Sequence, residues 1–149
     1  MITDIEEKLT IHEMISQYAY AYDSNDAHGF AEVFAEDGVF QIFIPGEASP
    51  ALRLQSRKEI YEWAAQRLQE RRGRFTSRHF QSGVRFEALT AEEARLRVMV
   101  LVTRQEATGS APYMHLTGIY HDVWRKSSDG WRLARRSAYA DRDPSSGGK

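Results

Sequence analysis

The chain has 149 residues, of which 42% are hydrophobic and 28% charged, and its formal net charge is −1. This length predicts one domain, and this composition is typical of a folded chain rather than a disordered one. The balanced charge argues against a sequence-independent nucleic-acid binder. The absence of cysteine excludes disulfides, thiol nucleophiles and cysteine-ligated metal sites. No apolar run approaches the roughly 20 residues that a membrane span needs, and the acidic N-terminus resembles no signal region, so we expect a cytoplasmic protein.

The first third of the chain shows helical spacing. Thr3 and Glu6 form a capping box that predicts the start of a helix ending near Tyr22. Asp26 is the predicted N-cap of a second, short helix that includes residues 30–34. The face of the first helix that we expect to be buried consists of Ile5, Leu9, His12, Ile15, Ala19 and Tyr22.

A turn, a strand, a loop and a third helix are predicted next. Asp37-Gly38 indicates a turn, residues 39–44 a strand and residues 45–55 a loop. Ser56 and Glu59 form a second capping box, which starts a helix over residues 57–71. Gly73 is the predicted end of this helix.

After Gly73 the apolar spacing changes to two, which indicates strands. Four strands are predicted, over residues 76–89, 94–103, 113–126 and 131–139. Residues 143–149 are rich in proline, serine and glycine and are predicted to be a disordered tail, which leaves residues 1–142 as a single domain. Helices followed by antiparallel hairpins define the α+β class, and a long sheet that curls around the first helix leaves a concave face.

Two tyrosines precede an aspartate at the end of the first predicted helix. Tyr18 and Tyr22 are four residues apart and share a face, and Asp23 follows directly. One interpretation is aromatic core packing followed by a capping aspartate. However, Asp26 is better placed to cap the second helix, so Asp23 is left as a candidate functional carboxylate.

A histidine stands on the first long strand. Strict alternation places His79 and Gln81 on the face opposite Phe80, Val84 and Phe86. The pattern leaves open whether that polar face meets solvent or a pocket. An imidazole can accept a proton at cellular pH, so His79 is a candidate general base.

Two arginines on the last strand are candidate anion binders. Alternation places Arg135 on the side of Trp131 and Leu133, and Arg136 on the other side. Solvent-facing arginines are the alternative interpretation.

The remaining histidines suggest no metal site. His115 and His121 are predicted to share one strand face, six residues apart, which is too far for one metal ion without a third ligand nearby. The sequence also contains no metal-binding helix motif and no glycine-rich phosphate loop. We therefore expect neither a metal nor a cofactor.

Four short blocks, taken in order, resemble the SnoaL-like branch of the nuclear transport factor 2-like superfamily over about residues 4–140. The blocks are residues 18–26, residues 34–40, Arg78-His79 and residues 129–133. This resemblance implies a cystatin-like, cone-shaped fold in which a curved antiparallel sheet wraps around three N-terminal helices and encloses a deep pocket.

Within that superfamily the chain looks most like the scytalone dehydratases, hexachlorocyclohexane dehydrochlorinases and bile-acid dehydratases. These lyases pair an aspartate at the end of the first helix with a histidine on the following long strand, and Asp23 and His79 match that pair. Tyr18, Tyr22 and Arg135 or Arg136 match, by the same resemblance, groups that donate hydrogen bonds to a substrate oxygen.

The chain also departs from scytalone dehydratase. Arg104 falls where that enzyme has a second histidine, and Tyr120 falls near its asparagine. The particular substrate of that enzyme is therefore not implied. Nor does the chain match the sheet aspartate of ketosteroid isomerases or the buried Asp–Arg–Asp set of epoxide hydrolases.

The resemblance implies a cofactor-independent lyase that eliminates water or halide from a small hydrophobic cyclic substrate. An isomerase or cyclase of polyketide or steroid type, and a non-catalytic small-molecule-binding module, are the alternatives. A homo-oligomer is implied, with a trimer favoured over a dimer. The predicted pocket wall consists of Phe40, Ile42, Val84, Val98, Val100 and Trp124.

Overall fold

The computed structural model describes residues 2–142, which form three helices and six strands. The elements in chain order are α1 (Ile2–Asp23), α2 (Ala27–Glu32), β1 (Phe34–Phe43), β2 (Leu52–Leu54), α3 (Arg57–Arg71), β3 (Phe75–Leu89), β4 (Glu93–Glu106), β5 (Tyr113–Ser127) and β6 (Gly130–Ala140). The predicted disordered tail, residues 143–149, lies outside the described residues. None of the described helices is both long and apolar enough to cross a membrane.

The strands form one curved, open sheet in the order β2-β1-β6-β5-β4-β3. Neighbouring strands are antiparallel except β1 and β6, which run parallel. The sheet is therefore mixed, whereas the sequence predicted an antiparallel one. The α+β class and the curved sheet with three helices are confirmed.

The predicted caps of the two later helices are present. The Asp26 carboxylate accepts a hydrogen bond from the Gly29 amide at 2.8 Å, and Ser56 Oγ accepts one from the Glu59 amide at 3.1 Å. Each satisfies an amide that a helix start would otherwise leave unpaired. By contrast, α1 begins at Ile2, so Thr3 lies inside the helix and is not its cap.

The buried stripe of α1 follows a different line from the predicted one. Ile11 is buried, whereas Ile5 and Leu9 are each 60% exposed and His12 is exposed. In the first turns of α1, the residue that faces the sheet is Glu7. Its carboxylate accepts hydrogen bonds from the Lys126 ammonium and the Trp131 indole. A polar residue on the packed face is invisible to apolar periodicity, so the prediction followed the wrong side of these turns.

Two predictions around β1 were wrong. Asp37-Gly38 is not a turn but part of the strand, whose register with β6 shifts between Phe34 and Val39. The chain passes so close to its neighbours there that a Cβ at Gly38 would lie 2.8 Å from the Ala35 carbonyl oxygen. In addition, the predicted loop over residues 45–55 contains β2, which pairs with β1.

A β-bulge in β3 changes which side chains face the helices. Gly83 has a φ of 59°, and the register with β4 shifts between Ser82 and Arg85. A bulge reverses the alternation of faces, so His79 and Val84 are both partly buried although one is odd-numbered and the other even. Phe80 was predicted to share a face with Val84, but it is 55% exposed.

A second bulge corrects the prediction for the two arginines of β6. Trp124 of β5 pairs with Leu133, and the preceding Val123 pairs with Arg135, so Ala134 is left without a partner. The alternation shifts by one residue at that point. Arg135 is exposed and Arg136 is completely buried, the reverse of the predicted arrangement.

The buried Arg136 is paired with a buried aspartate on β5. Its guanidinium donates to both carboxylate oxygens of Asp122, at 2.9 Å and 2.7 Å, and both side chains are 0% exposed. The same group lies 4.1 Å from the ring centroids of both Tyr18 and Tyr120 and donates to Gln81 at 3.2 Å. Burial lowers the pKa of Arg136, but the Asp122 carboxylate more than offsets this and holds the pKa above its ordinary value.

Removal of the Asp122 carboxylate should strongly destabilise the fold. Asp122→Ala leaves the Arg136 charge buried without its counter-ion, and we expect a loss of about 3–5 kcal/mol in the free energy of unfolding. Arg135→Ala, one residue away but exposed, is the matched control, with an expected change within about 0.5 kcal/mol. Urea denaturation followed by tryptophan fluorescence measures both. Similar small losses in the two variants would contradict the role given to the ion pair.

Candidate active site

A cavity of about 620 Å³ lies between the concave face of the sheet and helices α1 and α3. Its wall includes the predicted residues Phe40, Ile42 and Val100. Two other predicted wall residues, Val98 and Trp124, are 0% exposed in the solid core and do not line it, nor does Val84. Further apolar wall is supplied by Ile44, Leu52, Trp63, Phe75, Val102 and Leu116. A space of this size and character suits a small hydrophobic ligand.

Asp23 and His79 are in direct contact beside this cavity. Asp23 Oδ1 lies 2.7 Å from His79 Nδ1, and Asp23 Oδ2 accepts the His79 backbone N–H at 2.8 Å. The side chains are only 9% and 12% exposed, respectively. Of the two, His79 lines the cavity, whereas Asp23 lies behind it.

The Asp23 carboxylate is held by further groups that the sequence did not single out. Ser77 Oγ donates to Asp23 Oδ1 at 2.8 Å and in turn accepts a hydrogen bond from Arg71. The Arg71 guanidinium also donates to the Tyr22 carbonyl oxygen at 2.9 Å and to the Asn25 side chain at 3.0 Å. Ser77 could have been found, because it precedes His79 by two residues and so shares its strand face. Nothing in the sequence pattern points to Arg71.

These contacts determine the charge of Asp23. Burial raises the pKa of its carboxyl, but the hydrogen bonds from His79 and Ser77 together outweigh this and lower the pKa below its usual range. The carboxylate is therefore ionised at neutral pH and accepts the Nδ1–H of the ring. Nε2, on the other side of the ring, is then left as the acceptor.

Tyrosine rings surround the imidazole. The Tyr22 and Tyr18 ring centroids lie 5.2 Å and 6.4 Å from that of His79, and both residues line the cavity. Tyr120, whose ring is 5.9 Å from Tyr18, lines it as well. Burial raises the pKa of Tyr18 and raises that of Tyr120 well above its ordinary value. Both phenols therefore remain protonated and can donate hydrogen bonds.

Neither predicted arginine of β6 lines the cavity. Arg135 is exposed, and Arg136 lies against the Tyr18 and Tyr120 rings with its charge bound to Asp122. The structure therefore corrects the expectation that one of the two reaches a ligand. The sequence does not single out Asp122, because its position on β5 carries no motif.

His115 lines the cavity instead, although its strand pattern indicated no role in a site. The register between β4 and β5 shifts between Val102 and Thr103, so His115 has no partner on β4. The prediction that it shares a face with His121 fails for this reason: His121 packs on the Tyr139 ring, at 4.6 Å between centroids, and does not line the cavity. Within residues 2–142, no group of three or more metal-ligating side chains could hold a metal ion.

The family profile described as a SnoaL-like domain matches residues 3–137. The chain belongs to this family. No protein of curated function matches it by sequence.

Solved structures share the fold of this SnoaL-like chain. A Mycobacterium tuberculosis protein of unknown function, Rv3472 with the substitution D26N, is 24% identical with a TM-score of 0.79, over 96% of this chain and 76% of its own. A candidate scytalone dehydratase from Novosphingobium aromaticivorans is 22% identical, with a TM-score of 0.75 over 93% and 86%. The β subunit of a candidate aromatic-ring-hydroxylating dioxygenase from the same organism is 15% identical, with a TM-score of 0.78 over 96% and 94%.

The lowered pKa of Asp23 makes a prediction about stability and pH. The native carboxylate is favoured over the unfolded one, so its contribution is complete above the unfolded pKa of about 3.9 and is lost as the pH falls through the lower native value. Asp23→Asn should therefore be less stable than the wild type at neutral pH, and the difference should shrink below about pH 4.

Urea denaturation at a series of pH values measures this difference. Asp37→Asn is the control, because the Asp37 side chain is 74% exposed and pairs only at the surface with Arg125. We expect little effect of that substitution at any pH. A deficit in Asp23→Asn that stays constant into the acid range would contradict the prediction.

Proposed function

We propose that this protein is a cofactor-independent lyase that eliminates water or halide from a small hydrophobic cyclic substrate. The observation that carries the proposal is the 2.7 Å contact between Asp23 and His79 beside an apolar cavity. An ionised carboxylate holds one tautomer of the ring and stabilises the imidazolium that forms when the ring takes a proton, as the aspartate of hydrolytic triads does. The similarity in fold to a candidate scytalone dehydratase supports the same reaction class.

In the proposed reaction, His79 Nε2 removes a proton from a carbon next to a carbonyl group or a leaving group. The electron pair of that C–H bond forms the new double bond, and the pair of the bond to the leaving group departs with hydroxide or halide. A departing hydroxide takes a proton to become water, and the imidazolium that has just formed can supply it. General-base catalysis of this kind contributes about 10²–10⁴-fold to the rate.

The charge that develops on a substrate oxygen would be stabilised by tyrosine hydroxyls. Tyr18 and Tyr120 line the cavity and keep their protons. The Tyr120 hydroxyl is hydrogen-bonded to that of Tyr18, which leaves Tyr18 as the donor to a ligand. Tyr22 is a further donor, whose hydroxyl oxygen accepts a hydrogen bond from Arg67 Nε at 3.2 Å. Donors fixed in place in a site that excludes water stabilise such charge more than solvent does. Arg136 would then act as a positioning residue that holds the Tyr18 and Tyr120 rings.

The same residues suit an isomerase or cyclase, which would return the proton to another carbon of the substrate. The likeness in fold to a dioxygenase β subunit keeps a non-catalytic module as the other alternative. The three differ in a simple readout: an elimination product is lighter by one water or one hydrogen halide, an isomer has unchanged mass, and a binding module gives no product.

Substitutions in the proposed pair should abolish turnover. A panel of cyclic β-hydroxy ketones and halogenated cyclohexanes, analysed by mass spectrometry, would identify a substrate. His79→Gln and Asp23→Asn should each then lower kcat by about 10²–10⁴-fold. His28→Gln, at a side chain that is 80% exposed, is the control and should leave kcat unchanged. Full activity in a folded His79→Gln or Asp23→Asn variant would remove the pair from the mechanism.

We also propose that the protein is a homo-oligomer, with a trimer favoured over a dimer. Apolar side chains stand exposed on the sheet face that points away from the helices: Phe80 at 55%, Met99 at 55% and Ile119 at 36%. Met99 pairs with Ile119 across the strands, so the patch is continuous. Exposed apolar patches on this scale mark association surfaces, and copies of the same chain are the partner that the resemblance implies.

A charge on that patch should dissociate the assembly. Met99→Asp combined with Ile119→Asp should convert the wild-type oligomer into a monomer in sedimentation velocity, because each carboxylate would be buried against a partner. Leu9→Asp, at an exposed position of α1, is the control and should remain oligomeric. A monomeric wild type, or an oligomer that survives the double substitution, would contradict the proposal.

A further inference from the structure

One end of the cavity carries an excess of positive charge that the proposed elimination does not use. Arg67, Arg74 and Arg104 line the cavity, and within residues 2–142 none of them lies within ion-pair distance of a carboxylate. The acidic side chain that lines the cavity is Glu70, which accepts a hydrogen bond from Gln66 at 3.0 Å. The arginines therefore outnumber the carboxylates at this end of the wall.

Arg71, the fourth arginine of the wall, is not part of this excess. The residue is 5% exposed, and its guanidinium donates to Ser77, to Asn25 and to the carbonyl oxygens of Tyr22 and Asp23. Its donors are thus committed to the end of α1 and to the positioning of Asp23. A ligand would have to be bound by the other three.

The sheet register places Arg104 close to the proposed base. Val102 of β4 pairs with His79, and Arg104, two residues further along, pairs with Ser77 on the same face. Two residues of a strand span about 7 Å. The arginine head and the imidazole therefore lie within reach of opposite ends of one small molecule.

Contacts hold Arg104 at the cavity without neutralising it. Its guanidinium carbon lies 3.9 Å from the centroid of the Phe75 ring, and the guanidinium also hydrogen-bonds the Tyr113 side chain, so its remaining donors are available to a ligand. Its Nε is buried and has no hydrogen-bond partner in the described part of the chain. The nearby Glu106 carboxylate accepts the Tyr113 hydroxyl at 2.8 Å, so part of its capacity is already used.

The pKa of His115 reflects the positive charge of this region. Burial lowers the pKa of His115 first, and the charges of Arg104 and Arg67 lower it further. The two arginines therefore act on one point of the wall, although they come from α3 and β4. Glu106 opposes this effect, but the arginines outnumber the nearby carboxylates, Glu70 and Glu106, and an excess of positive charge in a partly buried site favours an anionic ligand.

We propose that the substrate is a cyclic organic acid whose carboxylate is bound by Arg67 and Arg104, with Arg74 at the rim, while its ring lies against His79. A carboxylate matches the planar fork of a guanidinium and can accept two parallel hydrogen bonds from it. The proposal names the substrate class of the lyase proposed above, but the carboxylate subsite itself requires only binding.

Binding of matched acids and amides tests this subsite. Benzoate, 2-naphthoate and biphenyl-4-carboxylate are compared with their neutral primary amides by isothermal titration calorimetry, on wild-type protein and on His79→Gln. We expect at least one acid to bind about 10-fold or more tightly than its amide, which is the scale of a charge-assisted hydrogen bond. Equal affinities throughout the panel, or no binding of any acid, would overturn the proposal.

Substitutions assign the preference to particular side chains. Arg104→Gln and Arg67→Gln should each remove most of the acid preference while amide affinity changes little, and Arg67 is exposed, so its variant carries little folding risk. Arg104→Lys keeps the charge without the fork and should retain only part of the preference. Arg95→Gln, on the same strand but 64% exposed and paired with Glu93, is the control. An acid preference that survives both glutamine substitutions would overturn the assignment.

The two proposals fail in different ways. If Arg104→Gln loses the acid preference and the wild type shows no detectable turnover, the carboxylate subsite is supported and the lyase proposal is rejected. If neutral cyclic substrates are turned over in a His79-dependent way and no acid preference is found, the lyase proposal is supported and the carboxylate subsite is rejected.

Discussion

The Asp23 carboxylate joins the end of α1 to β3, which otherwise contacts this helix through apolar packing and through the Gln81 side chain, a donor to the Ile15 carbonyl oxygen. It ends α1 and binds both the backbone and the ring of His79 on β3. A negative charge at a helix C-terminus opposes the helix dipole, so this position is unfavourable unless other groups compensate. Arg71 does so, because it donates to the carbonyl oxygens of Tyr22 and Asp23 and to Ser77. The arrangement of the candidate base therefore depends on a buried arginine of α3 that acts on Asp23 through Ser77 and the backbone.

Irregular strand pairing decides which side chains of the sheet reach the interior. The shift near Gly83 turns Val84 inward together with His79, and the unpaired Ala134 turns Arg136 inward instead of Arg135. The shift opposite Thr103 leaves His115 at the cavity. Bulges are common beside functional sites because one added residue can redirect a side chain without interrupting the sheet. Of the three residues redirected here, His115 lines the cavity, Val84 packs against the core, and Arg136 supports the Tyr18 and Tyr120 rings of the cavity wall.

Periodicity and capping predicted the three helices and the long strands, but they missed β2 and did not give the correct faces of the strands. Ser56 and Glu59 located α3 because a capping box is a local signal, and the change in spacing after Gly73 located β3. The faces of β3 and β6 were mispredicted across their bulges, since alternation counts residues and cannot detect an unpaired one. Asp23 and His79 could be chosen together only through the family resemblance, because a contact across 56 positions leaves no trace in local spacing. Neither local spacing nor the family resemblance pointed to Asp122 or Arg71.

The polar groups of the interior divide into those that hold the site and those that remain free to bind. Asp23 and Asp122 both have their oxygens occupied, by His79 and Ser77 in one case and by Arg136 and Trp124 in the other. The groups that still have a donor or acceptor to offer, namely the outer nitrogen of His79, the Tyr18 and Tyr22 hydroxyls and the arginines of the wall, lie along an otherwise apolar surface. Such a wall gives affinity but little orientation, so a ligand is oriented by the polar groups at its two ends. A substrate held at both ends loses its rotational freedom on binding rather than in the chemical step, which is how fixed geometry lowers a barrier.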